Sequence, residues 1–206
     1  MTLSGDATLV LPEFDAPPAD PVVLLAEWFA GAVAREVSEP FAMVLATADD
    51  RGRPSSRVVL FKEFADGGLV FAGSSASRKG RDLAANPHAA ATFHWRETLQ
   101  QITVVGTVRK VAPEASDVLF ADRPRAAQAA VIASEQSTPL DDESALHDRA
   151  QALADSDEPL SRPQTWTGYL LLPEEIEFWQ GKPNRLHRRL RYVRTGEGWL
   201  AQRLQP

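Results

Sequence analysis

The spacing of apolar residues changes character near residue 40, from helical to extended. Between Pro21 and about Val37, the residues Val23, Leu24, Trp28, Phe29 and Val33 form one stripe, with Asp20 placed to cap the helix and Pro21 suited to its first position. From Phe41 the apolar runs shorten to strand length. Phe41 to Thr47 leads through an Asp49-Asp50-Arg51-Gly52 turn to a hairpin partner, Ser55 to Lys62, and Ala65-Asp66-Gly67-Gly68 turns into a third strand, Leu69 to Gly73. A short helix near Ser77 to Ala85, stopped by Asn86-Pro87, precedes strands at about His88 to Trp95 and Gln100 to Val111. The segments Ala112 to Ala121, Pro124 to Ala133 and Asp141 to Ala154 are rich in Ala and Leu and predict helices. Strands resume at Thr167 to Leu172 and Glu175 to Gln180, and a last hairpin joins Leu190 to Arg194 with Trp199 to Leu204 over Thr195-Gly196-Glu197-Gly198. Short antiparallel strands interrupted by a helical insert indicate a mainly β barrel with helical decoration, not alternating βαβ units. Residues 1–20 are Pro-rich and acidic and read as a flexible, extended arm that is mobile or folds over the active site, ahead of a single domain at 21–206.

Composition narrows the function classes. With 22 Lys and Arg against 28 Asp and Glu, the net charge of -6 gives no general attraction to nucleic acid, so a small anionic ligand is the better expectation for any basic cluster. A chain of 206 residues buries roughly 70% of its unfolded surface without covalent staples. The absence of cysteine excludes thiol catalysis, disulfides and Cys-ligated metal centres, and no metal site is expected. The first residues lack a basic segment followed by an apolar one, and no run approaches 18 apolar residues, so the default is a cytoplasmic protein that does not engage membranes.

Three segments carry candidate chemistry. Arg185-Leu186-His187-Arg188-Arg189-Leu190-Arg191-Tyr192, after Glu177-Phe178-Trp179, gathers guanidinium groups and an imidazole beside an aromatic. As a strand it would put Arg185, His187, Arg189 and Arg191 on one face, a cationic wall for an anion; an edge strand guarded by solvated charge is the competing reading. In Ser74-Ser75-Ala76-Ser77-Arg78-Lys79-Gly80-Arg81, a Ser77 cap would set Arg78 and Lys79 in the first helical turn, where the macrodipole disfavours cations unless an anion binds. That arrangement predicts a phosphate site, against a plain basic helix face. Arg57 and Lys62 have opposite strand parity, so both reach one ligand only around a strand end, over a bulge or between subunits.

The order Arg57-Val58-Val59-Leu60-Phe61-Lys62, Ser77-Arg78-Lys79, Gln100-Gln101, Arg123-Pro124-Arg125, Gln136-Ser137 and Glu177-Phe178-Trp179 with Arg185-Leu186-His187 resembles the pyridoxamine 5′-phosphate oxidase family, from about residue 38 onward. The resemblance implies an antiparallel split β-barrel homodimer that holds one FMN at each of two subunit interfaces. It implies FMN contacts from Arg57, Val58, Val59, Leu60, Lys62, Ser77, Arg78, Lys79, Gln101, Gln136, Ser137, Trp179 and Arg189. Lys62 and Arg123 would hold a substrate phosphate, and Arg185 and His187 would face the substrate over the flavin.

The chain also departs from that family. Leu119 and Ala127 stand where the resemblance implies a tyrosine and a serine on the substrate phosphate, and losing such donors disfavours that ligand by about 1–3 kcal/mol each. Arg188 replaces the usual aspartate, and Ala72 and Gly73 lack the usual hydroxyls beside the flavin phosphate. Leu11-Pro12-Glu13-Phe14-Asp15, Trp95-Arg96-Glu97-Thr98, Gln100-Gln101-Ile102 and the run from Arg185 to Tyr192 are similar to a sister branch, the phenazine-biosynthesis flavin oxidases. That branch implies oxidation of a reduced (hexahydro or tetrahydro) phenazine carboxylate with dioxygen as final acceptor, giving hydrogen peroxide. Arg185 and His187 would orient the carboxylates, His187 could relay a proton, and Trp179 would pack on the cofactor, with simple core packing as its alternative. A pyridoxine or pyridoxamine 5′-phosphate oxidase and a non-catalytic flavin-binding barrel are the other two readings.

Overall fold

The computed structural model describes residues 4–206. Helix α1 (Pro21–Ala34) starts where the pattern predicts, with the Asp20 carboxylate accepting from the Val22 amide at 2.9 Å. Its buried face is Pro21, Leu24, Leu25, Trp28, Phe29 and Ala32; Val23 and Val33, expected in the stripe, flank it and stay half exposed. The strands are β1 (Ala42–Ala48), β2 (Pro54–Leu60), β3 (Glu63–Ala65), β4 (Gly68–Ser74), β5 (His88–Trp95), β6 (Gln100–Lys110), β7 (Trp166–Gln180), β8 (Arg188–Thr195) and β9 (Gly198–Leu204). Helix α2 (Arg78–Ala85) links β4 to β5, and α3 (Pro113–Ala121), α4 (Arg125–Ala133) and α5 (Glu143–Asp155) form the insert between β6 and β7. Strand β3 escaped the sequence reading because three residues are too few to show a period.

The sheet runs β2-β1-β5-β6-β7-β4-β3, with β8 and β9 branching from β7. That branch is the split in the barrel. One edge of β7 keeps β6 from Tyr169 to Gln180; the other passes from β4, opposite Trp166 to Leu171, to β8, opposite Glu175 to Gln180. The exchange coincides with a bulge at Val105/Gly106, opposite Pro173, whose ring nitrogen has no hydrogen to donate to a ladder. A Cβ at Gly106 would lie 1.9 Å from the Leu172 carbonyl oxygen, so glycine is required there. The interruption at Pro173 made one strand read as two.

Helix α1 fills the inner face of this sheet. The Phe29 ring lies 4.9 Å from Phe93, 5.1 Å from Phe61 and 5.2 Å from Trp95, and Trp28 meets Phe178 edge-on at 5.0 Å. Residues 9–18 are not the unpacked arm that their composition suggested. Phe14 is buried in a 3-10 turn at Pro12–Phe14, the Gln180 amide donates to the Leu9 carbonyl at 2.7 Å, and the Tyr192 hydroxyl donates to the Pro18 carbonyl at 2.9 Å. Composition averages conceal two apolar anchors, Leu11 and Phe14, while the prolines lower the entropic cost of ordering the segment. Residues 1–3 of the expected arm lie outside the described residues.

Because Phe29 sits at the centre of these ring contacts, Phe29→Ala is expected to lower unfolding stability by about 3–5 kcal/mol. Val33→Ala, on the half-exposed flank, should change it by less than about 0.5 kcal/mol. Urea midpoints at unchanged m-value measure both.

Candidate functional site

A cleft of about 720 Å³ opens where the ends of β2 and β4, the start of α2 and the loop after α4 converge. Val58, Val59, Leu60, Lys62, Lys79, Arg123, Gln136 and Ser137 line it, all anticipated from the sequence. Arg81, from the same basic segment as Lys79, also lines it, as do Trp166 and Thr165, which were not anticipated. A tryptophan opening an apolar strand reads as core, so only its contact exposes it: the Arg123 guanidinium lies 5.4 Å above its ring. A second hollow, between α4 and α5, is lined largely by alanines and has no converging cationic donors.

Lys79 dominates the cleft's chemistry. Ser77 caps α2, its hydroxyl accepting from the Gly80 amide, so Lys79 lies in the first turn as the sequence implied. The ammonium is buried, and its hydrogen bonds go to neutral oxygens, Ser77 Oγ at 3.0 Å and Gln136 Oε1 at 3.3 Å. Burial, and then the charge of Arg57, lower its pKa from 10.5 to about 8. A Cβ on Gly73 would lie 2.6 Å from both Lys79 Cε and Nζ, so a side chain at 73 would require the end of the Lys79 chain to shift. Arg78, by contrast, is exposed. The Ser137 backbone is left-handed (φ 78), a strained conformation at the cleft wall.

Arg57 is not among the cleft's lining residues. Strand parity turns it away from Val58 and Leu60, and its guanidinium donates to the Leu45 carbonyl at 3.0 Å and to Thr47 Oγ1 at 2.8 Å, 3.9 Å from Asp82. Burial alone would push the Asp82 carboxyl up, but hydrogen bonds from Thr47 and Ser55 and the charges of Arg78 and Arg57 hold it below its ordinary value. Asp82 was missed, although its place on the buried face of α2 with Lys79 and Leu83 was a readable signal.

The remaining candidates lie apart from this cleft. Gln101, Trp179 and Arg189 stand directly opposite one another across β6, β7 and β8. Phe178 and Gln180 point into the core, so Trp179 occupies the outer face, half buried, and the core-packing reading of it does not hold. His187 tilts against Trp179 at 4.7 Å, and its Nδ1 accepts the Lys182 amide at 3.1 Å, which leaves the neutral ring's proton on Nε2.

The cationic wall expected from strand parity is smaller than the sequence implied. Strand β8 begins at Arg188, so Arg185 and His187 belong to the preceding loop, where Arg185 has a left-handed backbone (φ 66) and Leu186 is 66% exposed. On the strand itself the cations meet acids from β7: Arg189 makes a bidentate pair with Glu177 at 2.8 Å, and Arg191 lies 3.9 Å from Glu175. Arg188 turns inward toward residues 11–15.

Comparison with known proteins places this geometry. Residues 29–156 match the family described as pyridoxamine 5′-phosphate oxidase, and residues 166–206 match the pyridoxine 5′-phosphate oxidase C-terminal dimerisation region. The chain belongs to the pyridoxamine 5′-phosphate oxidase family. It is 45% identical over 190 residues to a pyridoxine/pyridoxamine 5′-phosphate oxidase of Gluconobacter oxydans, covering 91% of this chain and 95% of the relative. It is 41% identical over 205 residues to a dihydrophenazinedicarboxylate synthase of Pseudomonas chlororaphis, covering 100% and 92%. The crystal structure of PhzG from Burkholderia lata 383 with tetrahydrophenazine-1-carboxylic acid superposes with a TM-score of 0.95 at 42% identity, covering 98% of this chain and 100% of that one. As a pyridoxamine 5′-phosphate oxidase family member, the chain is an oxidoreductase with an antiparallel sheet that does not close. No helix among the described residues is long and apolar enough to cross a membrane.

In this member of the family Lys79 should control alkaline stability. Its folded pKa of about 8 lies below the unfolded 10.5, so between those values the unfolded chain binds more protons and stability rises with pH. Urea unfolding of ligand-free protein at pH 7.5 and 9.5 is expected to show that rise relative to Lys79→Met, in which this contribution disappears.

Proposed function

We propose that the chain is an FMN-dependent oxidase of reduced phenazine carboxylates that works as a homodimer. The observation carrying this reading is the full-length correspondence with the phenazine-bound relative, joined to a cleft whose anion-holding residues are present. The fit to FMN rests on Lys79: a buried ammonium without a carboxylate, at a capped helix start beside Gln136 and Ser137, suits the phosphate, and the cleft is of cofactor size. FMN, when bound, supplies a two-electron acceptor for the substrate ring and returns those electrons, with two protons, to dioxygen as hydrogen peroxide.

The protein's own residues bind and orient. Lys79, Ser77, Gln136 and Ser137 hold the phosphate, Arg78 and Arg57 add positive field behind it, and Val58, Val59, Leu60 and Lys62 border the ring. Gln101, Trp179, Arg185, His187 and Arg189 would reach the same ligand from a second copy, because in one chain they lie outside the cleft. Exposed Val44, Val58, Leu60 and Val105 on the outer sheet face support such pairing, as does the match to a dimerisation region. His187, with Nδ1 occupied by the Lys182 amide, offers Nε2–H as a donor to a carboxylate; orientation is therefore its role, and proton relay is not.

Relatives at 45–47% identity that oxidise pyridoxine or pyridoxamine 5′-phosphate favour a second reading. The cleft weighs against it. Leu119 and Ala127 bring no hydroxyl to a substrate phosphate, and the Arg123 guanidinium is committed to the Ala127 carbonyl at 3.2 Å and to the Trp166 face. Anaerobic mixing separates the readings: a reduced phenazine carboxylate should bleach bound flavin efficiently, and pyridoxine 5′-phosphate should not. The reverse result would refute the proposal, a protein that takes up no FMN would leave only a structural barrel, and a flavin-loaded monomer in sedimentation would exclude the dimer. Arg185→Ala is expected to weaken carboxylate affinity about tenfold, with flavin content unchanged.

A further inference from the structure

We propose that Arg188 is a positioning residue, tying the N-terminal segment to the loop that presents Arg185 and His187; this rests on the reading of that loop as substrate-facing. The loop, residues 181–187, leaves β7 after Gln180 and enters β8 at Arg188, and these two residues form the last rung of the β7–β8 ladder. Both ends of the loop are held by the same short segment. Gln180, fully buried, donates to the Leu9 carbonyl at 2.7 Å, while its own Oε1 is buried without a partner. Arg188 donates to the Leu11 carbonyl at 3.3 Å and to the Asp15 carboxylate at 2.7 Å, and its guanidinium stacks 4.7 Å above the Phe14 ring.

The segment is anchored independently of the loop. Phe14 packs on Trp28, Trp28 Nε1 donates to Glu13, and Tyr192 holds Pro18. Within the loop, the bonds from the Lys182 amide to His187 Nδ1 and from the Arg185 amide to the Lys182 carbonyl are local, so they set its shape and not its position on the sheet. Position on the sheet is set by Gly181, which donates to the Leu99 carbonyl at 2.7 Å, by the Gln180 and Arg188 ties, and by the His187 ring against Trp179. Arg188 ties the root at β8 through two guanidinium nitrogens, a ring face and a carboxylate together. Asp15 is 73% exposed, so the ion pair alone is weak and the carbonyl and ring contacts do most of the holding.

The test uses the flavin-loaded full chain and Arg188→Ala. Amides of residues 182–187 are expected to exchange about tenfold faster, and KM for a reduced phenazine carboxylate to rise about tenfold, with kcat and flavin content unchanged. Arg188→Lys should fall between, because an ammonium keeps the charge without the fork. Faster exchange confined to residues 9–18 with unaltered KM would overturn the proposal and leave Arg188 as a tie for the N-terminal segment only. Should Arg188→Ala fail to fold, Arg188→Met, which keeps an apolar stem beside Phe14 but loses the bonds to the Leu11 carbonyl and Asp15, should show the same pattern at smaller amplitude, and no change at 182–187 would overturn the proposal equally. A wild-type protein that oxidises no phenazine carboxylate would refute the reading of the loop, whereas exchange at 182–187 would still decide the coupling.

Discussion

The architecture depends on β7 changing partners halfway along its length. A strand that paired with the same neighbours throughout would close or extend the sheet evenly. Here Pro173 and the bulge opposite it end the β4 ladder and allow β8 to begin, at a point where Gly106 admits the Leu172 carbonyl. One end of β7 therefore brings Trp166 to the cleft with Lys79 and Arg123, and the other carries Trp179 to the outer face beside His187. The separation of the candidate residues into two groups follows from this single backbone exchange.

Charge follows the same division. Arg57 has Asp82 and Arg189 has Glu177, so each guanidinium is held in place before any ligand arrives. Lys79 has only neutral oxygens as hydrogen-bond partners, and burial, then the charge of Arg57, lower its pKa to about 8. The two guanidinium groups are fixed by acids of the chain, whereas the buried Lys79 ammonium is met by neutral oxygens alone. A phosphate there would relieve a cost that the folded chain already carries.

Most of the fold was legible because the period of its hydrophobic pattern is unambiguous. Strand β5 spans His88–Trp95 as the pattern implied, and the three insert helices fall within two residues of their expected starts. The errors have physical causes. Parity extended the β8 strand back through Arg185, although a left-handed residue there ends regular structure; positive φ at a non-glycine has no pattern in sequence. Parity also cannot show which acids lie across a ladder, so the pairing of Arg189 and Arg191 with Glu177 and Glu175 appeared only once β7 and β8 were in register. Composition mistook residues 9–18 for a free arm because two buried anchors among prolines and acids hardly change an average. Most residues that line the cleft were readable as motifs, while Trp166 in the cleft and Asp82 beside Arg57 act through contacts made by tertiary structure.

The setting of Arg123 bears on which anion it suits. The family resemblance implies a serine at 127; here alanine stands there, and Arg123 Nη2 donates to the residue 127 carbonyl at 3.2 Å. The Trp166 ring covers the group, and burial depresses its pKa. Its Nε remains buried without a partner, so one donor direction is unspent, and an unpaired donor in a buried setting is costly. A tetrahedral phosphate needs several donors arranged around it, whereas a planar carboxylate is satisfied by one or two coplanar N–H groups. The surroundings of Arg123 therefore offer few donors for a phosphate, because positions 119 and 127 bring no hydroxyl and one guanidinium nitrogen is taken by the Ala127 carbonyl.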